Sequence, residues 1–68
     1  MFTVTFNTAN NAFEKPNLVT EVTRVLREIV RKIEIDDYLA PGQTISLQDV
    51  NGNTIGYAEY EPEFERKY

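Results

Sequence analysis

Three arginines on one predicted helix are the residues of this chain most suited to bind a charged partner. Arg24, Arg27 and Arg31 are three and four positions apart, which places them within about 60° of one another around a helix. Guanidinium groups bind phosphates and carboxylates through paired hydrogen bonds. This arginine stripe indicates a contact with phosphates or with a partner's carboxylates; the alternative is a solvated face neutralised by Glu21 and Glu28.

The C-terminal end of the chain combines acidic with aromatic side chains. Such a run can imitate a phosphate backbone or dock on a basic protein, and it is also typical of a solubilising tail. The residues of this acidic-aromatic run that we predict to bind a partner are Glu59, Tyr60, Glu61, Glu63, Phe64 and Glu65. Together with the arginine stripe they are the predicted partner-binding residues.

Side chains suited to catalysis are few. The chain has no histidine and no cysteine, so the most common general base and the strongest nucleophile are both missing. Ser46 is the only serine and has no evident base beside it, and the Asp36-Asp37 pair is typical of solvated loop acids. We therefore predict a protein that is not an enzyme and uses no cofactor.

The segment Asp49-Val50-Asn51-Gly52-Asn53 offers oxygen ligands at alternate positions, as calcium-binding loops do. Its glycine stands fourth instead of sixth, and the twelfth position is Tyr60 where a calcium loop needs glutamate. Asn-Gly also tolerates the positive φ angles of tight hairpins. We therefore predict a hairpin turn here and no metal site.

Size and charge narrow the function classes further. A chain of 68 residues makes one small domain with a thin hydrophobic core. The net charge of −4 argues against a general nucleic-acid coat and against attraction to anionic membranes. The N-terminal residues lack the basic region of a signal peptide, and no segment approaches the roughly 20 apolar residues of a membrane span. We expect a soluble, cytoplasmic protein.

An amphipathic helix is the element around which the rest of the chain is arranged. Apolar residues between Leu18 and Ile35 recur at helical spacing and cover an arc of roughly 140°, so the helix has one face to bury. Asn17 is a suitable N-cap, and we expect the helix to end near Glu34 because acidic residues there oppose the helix dipole. The helix residues predicted to be buried are Val22, Leu26, Ile29 and Ile33.

Three strands are predicted to pack against this helix. Residues 2–7 alternate apolar with polar side chains, and residues 43–50 and 54–60 flank the Asn-Gly turn. The order β-α-β-β predicts an α+β fold: a three-stranded antiparallel sheet with one amphipathic helix packed on one face. The sheet residues predicted to face the helix are Phe2, Val4, Phe6, Ile45, Leu47, Ile55 and Tyr57. Those predicted on the outer face are Thr3, Thr5, Asn7, Thr44, Ser46, Gln48, Gly56, Ala58 and Tyr60.

The remaining segments are predicted to be loops and a tail. Residues 8–16 form a loop in which Phe13 lies at the edge of the core, and Pro41-Gly42 signals a turn in residues 36–42. Pro62 ends any central strand. Residues 1–61 are therefore predicted to form the single domain, and residues 62–68 an acidic-aromatic C-terminal tail.

Three segments together resemble a family of small proteins encoded by bacteriophages and prophages, most of them without an assigned function. The segments are Asn11-Ala12-Phe13-Glu14, residues 21–34 and residues 47–56, roughly half of the chain. None is a catalytic motif, and the connection after the helix and the C-terminal tail look like additions to the pattern. The resemblance implies a protein that binds a host protein in the cytoplasm of a bacterial cell, and an anti-CRISPR-like role as an inhibitor of host defence.

Two function classes follow from these observations. The first is a module that binds a bacterial host protein or protein complex through a sheet edge, the outer sheet face or the acidic-aromatic run. The second is a nucleic-acid-binding accessory protein that uses the arginine stripe. The net charge favours the first class.

Self-association is also expected. The N-terminal strand contains no lysine and no proline to discourage pairing with another strand, and one helix covers only one face of the sheet. A homodimer formed across an edge or a face would bury apolar surface, including Tyr60 and Phe64. The alternative is a monomer whose outer face is reserved for a foreign partner.

Overall fold

The computed structural model describes residues 1–62 of the chain. Its elements are strand β1 (Phe2–Phe6), a 3-10 turn (Asn11–Phe13), helix α1 (Leu18–Asp36), strand β2 (Thr44–Gln48) and strand β3 (Thr54–Tyr60). The strands form one antiparallel sheet in the order β1-β3-β2, and α1 packs on one face of it. The predicted α+β fold is therefore confirmed, with the last of these strands at the centre of the sheet.

The core lies between α1, the 3-10 turn and the β2–β3 hairpin. Phe13 belongs to its centre, because the 3-10 turn closed by the N–H of Glu14 on the carbonyl of Asn11 points the ring inward. The prediction of a loop with Phe13 at the core edge is wrong at this turn, where residues 11–13 form a 3-10 helix and Phe13 is buried. The buried apolar residues are Phe13, Val25, Ile29, Ile45, Leu47 and Ala58.

The rotation of α1 about its axis differs from the predicted one. Val25 is only 1% exposed, whereas Leu26, which we predicted in the core, is 43% exposed. Val22 and Ile33 are half-buried at the margin of the core. The apolar stripe is wide enough to present either Val25 or Leu26 to the sheet, and a polar contact of Glu21 with the hairpin turn favours Val25.

Both ends of α1 also differ in detail from the prediction. The helix continues past Glu34 to Asp36, because Asp37 adopts the left-handed conformation (φ 55°) and donates its N–H to the carbonyl of Ile33 at 2.8 Å. Aspartate is one of the few side chains that tolerate this conformation, which caps the helix C-terminus. Asn17 stands at the predicted N-cap position, but its side chain makes no capping hydrogen bond.

Strand β3 presents to the helix the face that we predicted to lie outside. Ala58 pairs with both Val4 and Ile45 and is fully buried, so the even-numbered residues of β3 face α1. Tyr57, predicted to face the helix, lies on the outer face and is 44% exposed. The prediction for Gly56, Ala58, Tyr60 and Tyr57 is therefore wrong by one residue of register.

A β-bulge in the hairpin accounts for this error. Leu47 pairs with Gly56 and Gln48 with Thr54, so that Ile55 is the extra residue of β3. Ile55 still packs against the core, as predicted. The alternation of side chains along β3 therefore reverses at Ile55. The prediction placed Ile55 inward and continued the alternation from it, so Tyr57 was assigned to the wrong face.

The edge strand β1 is only partly covered. Its register places Phe2, Val4 and Phe6 on the helix side, as predicted, because they pair with Tyr60, Ala58 and Gly56. Val4 and Phe6 are half-buried, but Phe2 is 41% exposed and is not a core residue. The cause is the position of α1, which packs mainly against β2 and the 3-10 turn rather than against β1.

Gly56 of β3 lies where β1 leaves no room for a side chain. A Cβ atom at this position would lie 2.0 Å from the carbonyl oxygen of Thr5 and 2.5 Å from the Cα of Phe6. The absence of a side chain at Gly56 therefore allows β1 to take its place in the sheet.

Candidate functional site

Arg24, the first residue of the predicted arginine stripe, is engaged inside the protein. Its Nε and Nη2 atoms donate to the two carboxylate oxygens of Glu21 at 3.0 and 2.9 Å. Nη2 also donates to the carbonyl oxygen of Gln48 at 2.8 Å. The Glu21 side chain is 7% exposed and that of Arg24 36%. This guanidinium therefore holds α1 to the end of β2 and is not free to grip a partner.

The electrostatics of this pair follow from the geometry. The paired hydrogen bonds from Arg24 lower the pKa of the Glu21 carboxyl below its ordinary value, against the opposing effect of burial. The N–H of Val50, which donates to Glu21 Oε2 at 2.8 Å, lowers this pKa further. The same contact with Glu21 raises the pKa of Arg24. Both groups are charged at neutral pH, as a mutually neutralising pair.

Asp49 organises the hairpin turn. Its Oδ1 accepts the backbone N–H groups of Asn51 and Asn53, both at 2.9 Å, and its Oδ2 accepts the side-chain amides of Asn53 and Asn10 at 3.1 and 2.8 Å. These hydrogen bonds, led by the one from the Asn53 backbone, lower the pKa of the Asp49 carboxyl. The predicted hairpin turn is confirmed, with Gly52 at a φ of 88°. The oxygen atoms that resemble calcium ligands are used to close the turn.

Arg27 and Arg31 remain available on the outer side of α1. Arg27 is exposed, and Arg31 is 64% exposed with one loose contact, 3.7 Å from its Nη2 to Glu28 Oε1. A shallow groove of about 530 Å³ runs along this side of the helix between the guanidiniums and Val19. Two of the three predicted arginines therefore share one accessible surface.

Apolar side chains lie next to these two arginines. Val19, Leu26 and Val30 are 74%, 43% and 53% exposed. They are seven and four residues apart, so they form one row along the helix. We call Val19, Leu26, Arg27, Val30 and Arg31 the outer surface of α1. Sequence reasoning missed its apolar part, because it assigned every apolar residue of the helix to a single buried stripe.

The acidic-aromatic run is only partly within the described residues. Glu59 is half-buried on the outer sheet face, where it pairs with Thr3 and Thr44. Tyr60 is half-buried on the helix side, and Glu61 is exposed. These residues do not share one surface. Glu63, Phe64 and Glu65 lie outside the described residues.

The one serine lines a polar cleft of about 240 Å³ between α1 and β2. Glu28 and Lys32 line the same cleft. Within residues 1–62 the hydroxyl of Ser46 makes no hydrogen bond that could activate it as a nucleophile. Asp37, the other candidate considered for catalysis, serves as the C-cap of α1.

Metal binding and membrane insertion find no support in residues 1–62. No group of three or more acidic side chains within residues 1–62 is arranged to hold a metal ion. The helix found in these residues is too polar to cross a membrane.

Comparison of the chain with known proteins adds no relative. No family model, no curated protein and no solved structure matches it. The resemblance to phage-encoded proteins therefore stays a hypothesis based on the three sequence segments.

Proposed function

We propose that this protein is a non-enzymatic module that binds a protein partner through the outer surface of α1. The observation that carries this proposal is the row of exposed Val19, Leu26 and Val30 beside the exposed guanidiniums of Arg27 and Arg31. Scattered exposed apolar residues are common, but a row along one helix beside a charged rim is typical of an interaction site.

The spacing of the row indicates the shape of the partner. Seven and four residues are the separations found along one seam of a coiled coil, so the row fits the apolar face of an amphipathic helix. Such a helix would place its own polar side chains beside Arg27 and Arg31. Carboxylates at those positions would form charge-assisted hydrogen bonds with the guanidiniums. The partner surface is therefore apolar with an acidic border.

The biological setting of the proposal comes from the sequence resemblance. It supports a bacterial host protein or complex as the partner, in the cytoplasm of the host cell, with inhibition of a defence system such as CRISPR as the outcome. The acidic net charge supports a protein partner over nucleic acid.

The nucleic-acid alternative is weakened by the position of Arg24. A phosphate-binding stripe needs free cations, and the structure engages Arg24 with Glu21 and Gln48. Of the arginine stripe, Arg27 and Arg31 remain for the phosphates, on a chain with a net charge of −4.

Affinity capture with matched variants tests the proposal. Purified protein is used to capture proteins from bacterial lysate, in parallel with the double variant Arg27→Ala/Arg31→Ala and with Leu26→Ser. Lys15→Ala, which removes an exposed positive charge elsewhere, is the control. We expect a protein captured by the parent and the control to be lost in both outer-surface variants, while circular dichroism shows each variant to be folded at the temperature of the capture. Retention of that protein by both variants would contradict the proposed surface.

Electrophoretic mobility shifts with single- and double-stranded DNA and RNA at low salt test the alternative. Tight binding that disappears in Arg27→Ala/Arg31→Ala would favour the nucleic-acid function. The role in defence is tested separately by phage infection of cells with an active CRISPR system. Plaque numbers that do not rise when the protein is produced would contradict that role.

A further inference from the structure

Strand β1 has the palindromic sequence Phe-Thr-Val-Thr-Phe and lies at an edge of the sheet. We propose that two copies of the chain pair through β1, antiparallel about a two-fold axis at Val4, and form one continuous six-stranded sheet. The sequence alone left the edge and the face open as dimer surfaces; the inference assigns the edge of β1. It does not rest on the function proposed for α1.

The palindrome makes the strand complementary to itself. With the axis at Val4, Phe2 of one copy lies opposite Phe6 of the other, Thr3 lies opposite Thr5, and the two Val4 residues face each other. Aromatic, threonine and β-branched pairs across antiparallel strands each stabilise a sheet. A shift of two residues in the pairing would leave both phenylalanines of each copy without an aromatic partner.

The backbone is also in phase with this pairing. Met1 and Glu61 exchange hydrogen bonds between their backbone groups, and the N–H of Asn7 donates to the carbonyl of Ile55. Because hydrogen-bonded and non-hydrogen-bonded pairs alternate along an antiparallel ladder, the odd-numbered residues of β1 are the ones that hydrogen-bond to β3. The N–H and C=O groups of Phe2, Val4 and Phe6 therefore point away from β3, toward the open edge. A two-fold axis at Val4 aligns these three residues with their counterparts, so that every outward backbone group of the strand is paired.

The exposed Phe2 ring packs against the second copy in the proposed dimer. Phe2 is on the helix side of the sheet yet 41% exposed, because α1 packs toward β2. In the dimer it lies opposite Phe6 of the second copy, whose ring is 6.1 Å from that of Phe13. Each Phe2 therefore extends an aromatic pair of the other copy.

The other edge of the sheet does not offer the same opportunity. Ile45 and Leu47 of β2 are already buried, and the carbonyl of Gln48 is occupied by Arg24. Strand β1 carries no charge and no proline that would keep a second strand away, and its backbone groups on the open edge have no such contact with Arg24. The outer surface of α1 stays accessible in the proposed dimer.

Two cysteine variants test the register directly, because the natural chain contains no cysteine. Thr3 and Thr5 face each other across the axis in a non-hydrogen-bonded pair, whose Cα atoms are about 4.5 Å apart and within reach of a disulfide. We expect a mixture of Thr3→Cys and Thr5→Cys chains to form a disulfide-linked dimer on mild oxidation, faster than either variant alone. A dimer that shows no such preference would overturn the proposed register.

Light scattering over a range of concentrations tests the dimer itself. The chain has a mass of 7.9 kDa, and we expect twice that mass at high concentration. The double variant Thr3→Lys/Thr5→Lys places like charges across the axis and should raise the dissociation constant at least about tenfold. Mixing it with Thr3→Glu/Thr5→Glu should restore dimers, whereas Thr44→Lys on the β2 edge should change nothing.

Two outcomes of this measurement overturn the proposal. A mass of 7.9 kDa at every concentration would show that the chain is a monomer, with the β1 edge available to a strand of another protein. A dimer that withstands the lysine substitutions would place the interface on a face of the sheet.

Discussion

The carboxylate of Glu21, in the first turn of α1, accepts the backbone N–H of Val50 in the β2–β3 turn at 2.8 Å. The same carboxylate is held by Arg24, which also reaches the carbonyl of Gln48. Two hydrogen bonds, Val50 to Glu21 and Arg24 to Gln48, therefore join one turn of the helix to the hairpin. They set the rotation of α1 and, with it, which side chains form the core and which form its outer surface.

Glu21→Ala should lower the free energy of unfolding by about 1–3 kcal/mol, because it leaves the N–H of Val50 and the guanidinium of Arg24 without their carboxylate. Urea denaturation followed by circular dichroism measures the change. Glu28→Ala is the control: Glu28 makes a contact of 3.7 Å with the exposed Arg31, and its loss should cost at most about 0.5 kcal/mol. Equal effects of the two substitutions would contradict a structural role for Glu21.

Stability should fall as the pH is lowered into the acid range. The pKa of Glu21 is lowered mainly by the hydrogen bonds from Arg24, and that of Asp49 mainly by the N–H of Asn53. The ordinary values are 4.5 and 3.8, so the unfolded chain takes up protons first as the pH falls through that range. The stabilisation is complete above the ordinary values and is lost as the pH falls through the lowered pKa values of the folded protein.

Urea midpoints measured from pH 7 to about pH 2.5 check this dependence. We expect the midpoint to begin to fall near the ordinary carboxyl pKa values. The variant Glu21→Gln should show a shallower decline, because one of the two linked carboxyls is absent. A midpoint that rises as the pH is lowered from 5 to 3 would contradict the lowered pKa values of both Glu21 and Asp49.

Val25→Ala and Leu26→Ala should differ sharply although they are neighbours in sequence. Val25 is 1% exposed and its truncation should cost about 1.5–3 kcal/mol. Leu26 is on the outer surface, and its truncation should cost less than about 1 kcal/mol. Thermal melts of the two variants decide between the observed rotation of α1 and the one expected from sequence, which would reverse the ranking.

The fold class was predictable from the sequence because it depends on local periodicity. Alternating side chains in β1, helical spacing in α1 and the Asn-Gly turn each specify an element without reference to the rest of the chain. These signals agree with one another, and the observed elements begin and end within a few residues of the predicted ones.

The predictions that were wrong concern features that depend on contacts between elements. The bulge at Ile55 reverses the alternation of β3; Gly56 beside it is a residue type that often marks a bulge, but the alternation alone does not require one. The burial of Glu21 depends on the donors Arg24 and Val50, and Val50 comes close only after the hairpin has formed. For the candidate site, residue types pointed to Arg27 and Arg31, but the exposed apolar row emerged only with the rotation of the helix.

The position of β3 between its two neighbours has a consequence for how the sheet closes. The hairpin joins β2 to β3 through a short turn, whereas β1 reaches β3 from the opposite end of the described chain. The first pairing closes a small loop and the second a loop that contains the whole helix, so the pairing of β1 carries the larger share of the loop-closure entropy. Gly56 pairs with Phe6 of β1 and with Leu47 of β2, so the long-range and the local pairing meet at a residue that has no side chain to obstruct β1.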